Sequence, residues 1–380
     1  MKNPFLVGSY VSAKYFCDRE IETAELIRKT TNGNNIVLTS PRRMGKTGLI
    51  EHCYANREIV KIYFTFYIDI YATGNLKEFV FKFGKEIFET LKSKGKKFIE
   101  HFFAMITSLR PAFKLDEITG NPVFDIGIGE IRAPEFALEE IFNYLETAGK
   151  PCIVAIDEFQ QIEKYPEKNT EALLRTYVQR CKNVVFIFAG SRRHLMQNIF
   201  FSSSRPFYQS AALLNLEAIE KEKYTKFVIK HFSEAQKTIP PELVEKIYNL
   251  FEGHTWYMQA VFNEIFSLLD GGDNCTLNDL QLSLKNRIAS YEAFFLTTLS
   301  LLSERQKELL YAVAKDEKAT NITSGDFVRK HNLLSPASVQ TSAKQLLDKE
   351  IITSENNEYQ VYDRFFGLWL KTVYGTGYRI

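Results

Sequence analysis

The chain has 380 residues, 45% of them hydrophobic and 25% charged, with a net charge of +2. These are the proportions of a globular protein longer than one ordinary core, which predicts two or three domains and leaves nucleic-acid binding neither favoured nor excluded by charge. Five scattered cysteines with no C-x-x-C pair (Cys17, Cys53, Cys152, Cys181, Cys275) exclude a disulfide framework. No signal peptide opens the chain and no apolar run approaches the ~20 residues of a membrane helix, so a reducing, cytoplasmic location is expected.

In chain order, Asp18 can cap a helix over residues 19–31 that stops near Asn32-Gly33. Arg19 and Glu20 read there as first-turn charges. Ile36 to Thr39 is a short buried strand. Ser40-Pro41-Arg42-Arg43-Met44-Gly45-Lys46-Thr47 then fits the phosphate-loop pattern G-x-x-x-x-G-K-[ST], with Ser40 in place of the first glycine. A tight loop leaving a strand turns successive backbone N–H groups inward, where they bond polyphosphate oxygens. Gly45 permits close backbone approach, Lys46 brings charge to the β- and γ-phosphates, and Thr47 offers a hydroxyl to Mg²⁺. Gly48 opens a helix whose positive end faces the same anion.

Val60 to Ile70 is expected as the second strand, with Asp69 near its end. An insertion over about 75–135 follows: a helix on Leu76, Phe79, Val80, Phe83, Ile87 and Leu91, then a hairpin across Pro111 to Ile128 turning at Gly120-Asn-Pro122. The cluster Lys92, Lys94, Lys96 and Lys97 reads as a solvated helix end. A helix from about Pro134 to Thr147 returns the chain to the sheet.

Pro151-Cys-Ile-Val-Ala-Ile-Asp-Glu-Phe159 is an apolar strand ending in two carboxylates, where open α/β sheets bind ligands. Asp157 would hold Mg²⁺ through water and Glu158 would orient or deprotonate the attacking water. A bare Asp-Glu helix cap is the other reading, and the lysine loop weighs against it. After a helix over Glu171 to Arg180, Val184 to Arg193 is a further buried strand with a polar end. Ser191 would sit by the γ-phosphate, and Arg192, Arg193 and Arg205 compete for the role of a cation that neutralises transition-state charge. Ala212 to Leu216 is a fifth strand, and the five suit the order 5-1-4-3-2.

Residues 1–216 thus read as an α/β nucleotide-binding domain, 217–300 as an all-helical lid and 301–380 as a winged helix. Thr276-x-x-Asp279 and Ser303-x-x-Gln306 are capping boxes, and Thr323-x-x-Asp326 starts a shorter helix. Ser335-Pro336 opens the reading helix, which would show Ser338, Gln340, Thr341, Lys344 and Gln345 to base edges. A wing of Ile351–Thr353 and Tyr359–Val361 follows. Residues 291–380 balance acids against bases almost evenly, so a protein contact is at least as well supported as DNA.

Across nearly its whole length the chain resembles the prokaryotic, archaeal-type ATPases of the STAND and AAA-like branch of P-loop NTPases. The matching residues are Phe16-x-x-Arg19-Glu20-x-Glu22, the loop 40–47, Ile156-Asp-Glu-Phe159, Ala189-Gly-Ser191, Arg205-Pro-Phe-Tyr208, Gly253-His254-x-x-Tyr257-x-Gln259 and Val361-Tyr-Asp-Arg-Phe-Phe-x-x-Trp369. The resemblance implies a switch driven by Mg²⁺ with ATP or ADP, with Arg19 near the base and His254 on the lid side. Asp18, Thr255 and Gln209-Ser210 depart from the pattern, the last standing where the resemblance would place an arginine finger. Slow hydrolysis, or a requirement for a protein partner or self-association, is therefore expected. A DNA-associated ATPase and a nucleotide-stabilised scaffold that never hydrolyses are the alternatives. A small-molecule kinase lacks an obvious acceptor segment.

Overall fold

The computed structural model describes residues 2–8, 10–109, 113–115, 122–124, 131, 133–355 and 357–374. They fall into two compact units: Gly8–Ile219, and Met1–Val7 with Glu220–Ile380. The chain passes from one unit to the other between Ile219 and Glu220. The first seven residues, assigned by sequence to the nucleotide-binding domain, group instead with the helical unit. Phe5 is buried there against Phe232, Phe262 and Phe266, and the Asn263 amide donates to the Phe5 carbonyl at 2.7 Å.

The first unit begins with α1 (Glu20–Thr31), β1 (Ile36–Thr39), α2 (Lys46–Tyr54), α3 (Arg57–Ile62) and β2 (Phe64–Asp69). The insertion supplies α4 (Leu76–Lys92), α5 (Lys96–Met105), β3 (Phe113–Leu115), β4 (Pro122–Phe124) and α6 (Pro134–Glu146). Then come β5 (Cys152–Asp157), α7 (Thr170–Arg180), β6 (Val184–Gly190), α8 (Arg193–Phe201) and β7 (Ala212–Asn215). The sheet runs β2-β5-β6-β1-β7 with every pair parallel, the expected 5-1-4-3-2 read from the other edge.

Strands β1, β5 and β6 are buried at every residue, as unbroken apolar runs covered on both faces must be. Edge strand β2 alternates instead, with Phe64, Phe66 and Ile68 buried and Asp69 exposed. One face of the sheet packs Phe66 and Ile68 against Phe79 and Phe83 of α4 and Ile141 and Phe142 of α6. The other packs Leu38, Ala155 and Ile187 against Leu26 of α1 and Leu49, Ile50 and Cys53 of α2, with Tyr67 alongside. Each such aliphatic or aromatic side chain contributes ~1.5–3 kcal/mol. The start of α2 is thereby fixed against the carboxyl ends of the strands.

The insertion is tied down by Glu140 of α6. Its buried carboxylate accepts from the Thr107 N–H at 3.1 Å, the Thr107 hydroxyl at 2.5 Å and the Ser108 N–H at 2.9 Å. Strands β3 and β4 pair antiparallel, Phe113 with Phe124 and Leu115 with Pro122. The turn residues Gly120 and Asn121, and the alternation expected over 125–128, lie outside the described residues.

Four sequence boundaries shift. The strand expected over Val184 to Arg193 ends at Gly190, and Arg193 is the first residue of α8. Residues 60–62 are helical because Asn56 accepts from the Glu58 N–H and starts α3, so β2 begins only at Phe64. Asp18 is not the cap of α1; Arg19 takes that position with φ +75° and no side-chain cap bond. Ser324 rather than Thr323 caps the short helix near residue 325, accepting from the Phe327 N–H at 3.1 Å.

In the second unit, α9 (Lys221–Glu234), α10 (Pro241–Phe251), α11 (Thr255–Leu268), α12 (Leu277–Ala289) and α13 (Glu292–Ser300) form the helical part. The winged helix comprises α14 (Glu304–Asp316), β8 (Ala319–Thr320), α15 (Gly325–Lys330), α16 (Pro336–Asp348), β9 (Ile352–Glu355), β10 (Glu358–Val361) and α17 (Arg364–Tyr374). Both capping boxes form, on α12 and α14. The wing has three strands, β8-β10-β9, rather than two, because a two-residue strand carries no periodicity to read. On α16 the Gln345 side-chain oxygen Oε1 accepts from Gln306 Nε2 at 2.7 Å, which ties that side chain to α14 and away from a reading role. No described helix is long and apolar enough to cross a membrane.

Candidate functional site

The loop 40–45 leaves β1 and delivers the chain into α2. Ser40 is fully buried, and its N–H bonds the Gly190 carbonyl at 3.4 Å, holding the loop to the end of β6. Arg43 and Gly45 take left-handed backbone angles, φ +67° and +92°. Alternation of this kind curls a chain so that successive N–H groups point into one concavity. Arg42 donates through Nε to the Ser191 hydroxyl at 3.3 Å, and its guanidinium lies 5.1 Å from the centre of the Tyr71 ring. The buried Met44 lends its carbonyl to Arg19 at 3.4 Å. At Gly48 an added Cβ would lie 3.4 Å from the Phe16 ring.

Lys46 and Asp157 are both buried, at 7% and 5% exposure. Lys46 Nζ lies 3.8 Å from Glu158 Oε1. The Thr47 hydroxyl donates to Asp157 Oδ2 at 3.3 Å, and the Tyr67 hydroxyl donates to the same oxygen at 2.5 Å. Asp157 Oδ1 accepts the Glu158 N–H at 2.9 Å. Glu158 stands just past β5 with φ +56°, which turns its side chain out of the strand direction. Its Oε2 accepts from the Ser191 hydroxyl at 2.8 Å and from the Gln160 amide at 2.5 Å. Gly190 makes room for this: a Cβ there would fall 2.4 Å from Gln160 Oε1 and 2.6 Å from Met196. Asp69 pairs in register with Asp157. Burial pushes its carboxyl up; the Tyr71 N–H opposes this, and the charges of Asp157 and Glu158 reinforce it.

Residues 16–261 match a sequence family described as an ATPase domain predominantly from Archaea, and residues 293–372 match one described as a probable winged helix domain. The chain belongs to this ATPase family. No curated protein sequence matches it. Among solved structures, the ATPase is similar to the Walker-type ATPase PABY2304 of Pyrococcus abyssi, at 19% identity and TM-score 0.66 over 97% of this chain and 99% of that one. It is also similar to the ORC2 protein of Aeropyrum pernix, solved as ADPNP-ADP complexes (13% identity, TM-score 0.60, 97% and 95% covered). A third is the ORC1 protein of the same organism in complex with DNA (12% identity, TM-score 0.50, 94% and 92% covered). At these identities the likeness is one of fold.

In the ATPase, the loop residues 40–48, Asp157, Glu158 and Ser191 come together, and Arg19 joins them through Met44. Arg19 is no ordinary first-turn charge: it is buried and paired with Glu22 at 2.6 Å. Arg192 follows Ser191 at the N-cap of α8, half-buried. Arg193 pairs with Glu217 at 2.8 Å, while Arg205 pairs with Glu163 at 2.8 Å and Glu171 at 2.6 Å. Arg205 is thereby a structural ion pair rather than a free cation. His254 belongs to the other unit, where its Nδ1 lies 2.9 Å from the Phe251 carbonyl. Burial and then the charge of Arg364 push its imidazole down. Its assignment to a nucleotide rests on the resemblance alone.

Sequence reasoning missed Tyr67 and Gln160. A period-two reading of β2 puts Thr65, Tyr67 and Asp69 on one face, which was the available signal for Tyr67. Gln160 carried no signal of its own; only the short 3₁₀ turn Phe159–Lys164 after β5 folds it back onto Glu158.

Proposed function

We propose that the protein binds Mg-ATP in the space between the loop 40–47 and the end of β5, hydrolyses it slowly, and uses the loaded and unloaded states as a conformational switch. The observation that carries this reading is the convergence of Lys46 on Glu158 at 3.8 Å and of Thr47 on Asp157 at 3.3 Å. The loop N–H groups and Lys46 hold the β- and γ-phosphates. Thr47 and Asp157 hold Mg²⁺: their all-oxygen donor set suits a hard cation that keeps several waters. Among the described residues no cluster of three or more His, Cys, Asp or Glu competes as a metal site. When bound, the ion supplies charge neutralisation across the phosphates.

Glu158 orients the attacking water and accepts its proton, Ser191 lies beside the γ-phosphate, and Arg192 is the nearby cation for developing charge. Arg19 flanks the base side of the loop. Slow turnover is supported by the two hydrogen bonds that already engage Glu158 Oε2. ATP is favoured by the family, and ADPNP and ADP occupy the Aeropyrum pernix ORC2 relative. The test is titration of the full chain with a fluorescent ATP analogue and Mg²⁺, alongside phosphate release from ATP. Binding with slow release supports the switch. Binding with no release at all turns the protein into a nucleotide-stabilised scaffold, and absence of binding sinks both.

A second reading has one observation of its own: α16 exposes Gln340, Thr341 and Lys344 within a winged helix, and the ORC1 relative was solved with DNA. A DNA-associated ATPase would give a gel shift that weakens with salt and is lost on Lys344→Glu. No shift at low salt removes that reading.

A further inference from the structure

Tyr67 lies 90 residues before Asp157 in the chain, on a different strand, yet its hydroxyl makes the shortest contact to that carboxylate. The parallel register explains how. Tyr67 pairs with Ala155, two positions before Asp157, and packs on the α2 face of the sheet rather than on the insertion face. From there the ring carries its hydroxyl to 2.5 Å from Asp157 Oδ2 and 3.2 Å from the Thr47 hydroxyl, while Thr47 and Asp157 stand 3.3 Å apart. These three oxygens form one triangle. Asp157 Oδ2 is a carboxylate acceptor, so at 2.5 Å the Tyr67 hydroxyl is the donor of this bond.

The geometry points to Tyr67 as a positioning residue for the divalent cation: its hydroxyl locks the Asp157 carboxylate in the orientation that, with Thr47, receives hydrated Mg²⁺. This rests on the Mg-ATP reading above. A carboxylate that acts on a metal through water has no bond to the ion to hold it in place, so its direction must come from its neighbours. Asp157 has two such neighbours besides Thr47. The Glu158 N–H fixes Oδ1, and the phenol fixes Oδ2 with a charge-assisted bond. Without the phenol, Oδ2 keeps only the long Thr47 contact among the described residues, and the carboxylate is free to turn about its Cβ–Cγ bond.

The test is Tyr67→Phe in the full chain, with affinity for a non-hydrolysable ATP analogue measured by titration calorimetry in excess Mg²⁺ and again in EDTA. Phenylalanine keeps the ring packing and removes only the hydroxyl. Tyr54→Phe is the control. Its buried hydroxyl bonds the Phe66 carbonyl at 3.1 Å and the Ile153 carbonyl at 3.4 Å on the same face and has no bond to Asp157. The wild-type gain in affinity on adding Mg²⁺ is expected to shrink about tenfold in Tyr67→Phe, with the EDTA affinity unchanged, and to persist in Tyr54→Phe. A gain equal to wild type in Tyr67→Phe overturns the assignment. So does a parallel fall in both affinities, which marks a structural role only. A wild type that gains nothing from Mg²⁺ refutes the Mg-ATP reading itself, and the assignment with it.

Discussion

Lys46→Ala is expected to weaken ATP binding by about 10²- to 10³-fold, or ~3–4 kcal/mol, and to abolish turnover with it. Lys46 opens α2 with its side chain 93% buried, and its ionic contact to Glu158 is a long one, at 3.8 Å. A buried ammonium with so loose a partner has most of its hydrogen-bonding capacity left for a phosphate oxygen, and desolvation makes such a contact worth more than a surface pair. The fold should tolerate the change. Alanine is the better helix former, and Glu158 keeps its bonds from Ser191 and Gln160. Titration calorimetry on wild type and variant, with the ligand-free thermal midpoint as the folding control, decides the matter. An affinity within about threefold of wild type would remove Lys46 from the site, and with it the central claim for the loop.

The second large effect separates chemistry from binding. Glu158→Gln should cut phosphate release by about 10²- to 10⁴-fold while leaving ATP affinity within a few-fold of wild type. Glutamine has the size of glutamate, and its carbonyl oxygen still accepts from Ser191 and Gln160, so the left-handed turn at φ +56° and the end of β6 need not move. What it loses is the ability to take a proton. Steady-state release and single-turnover assays on the two proteins give the comparison. Equal rates would show that Glu158 serves only as a hydrogen-bond acceptor for Ser191 and Gln160, and the base would have to be sought elsewhere. Taken with Lys46→Ala, the pair distinguishes a protein that cannot hold ATP from one that holds it without cleaving it.

Much of the fold was legible before any coordinates. The unbroken apolar runs at Ile36–Thr39, Cys152–Asp157 and Val184–Gly190 announce central parallel strands, since a strand covered on both faces has no polar side to show. The glycine–lysine–threonine turn and the Asp-Glu pair are legible for the same reason: each is a local pattern whose chemistry is carried by neighbours in the chain. The two capping boxes belong to this class as well. The errors were also local. Asn56 outweighed the β-branched residues around Val60, and Arg19 displaced Asp18 at the start of α1.

Tertiary structure decided the rest. That Arg205 is consumed by Glu163 and Glu171, that Gln160 and Ser191 share one oxygen of Glu158, and that Phe5 is buried with the helical unit all depend on segments far apart in the chain. Tyr67 is the clearest case. Its sequence neighbours mark it as one more aromatic in a strand, and only the pairing of β2 with β5 brings its hydroxyl to Asp157. A side chain's type sets which bonds it can make, whereas strand order and register set which partner lies within reach. The sequence carries the first at each position and holds the second only in the sum of its packing.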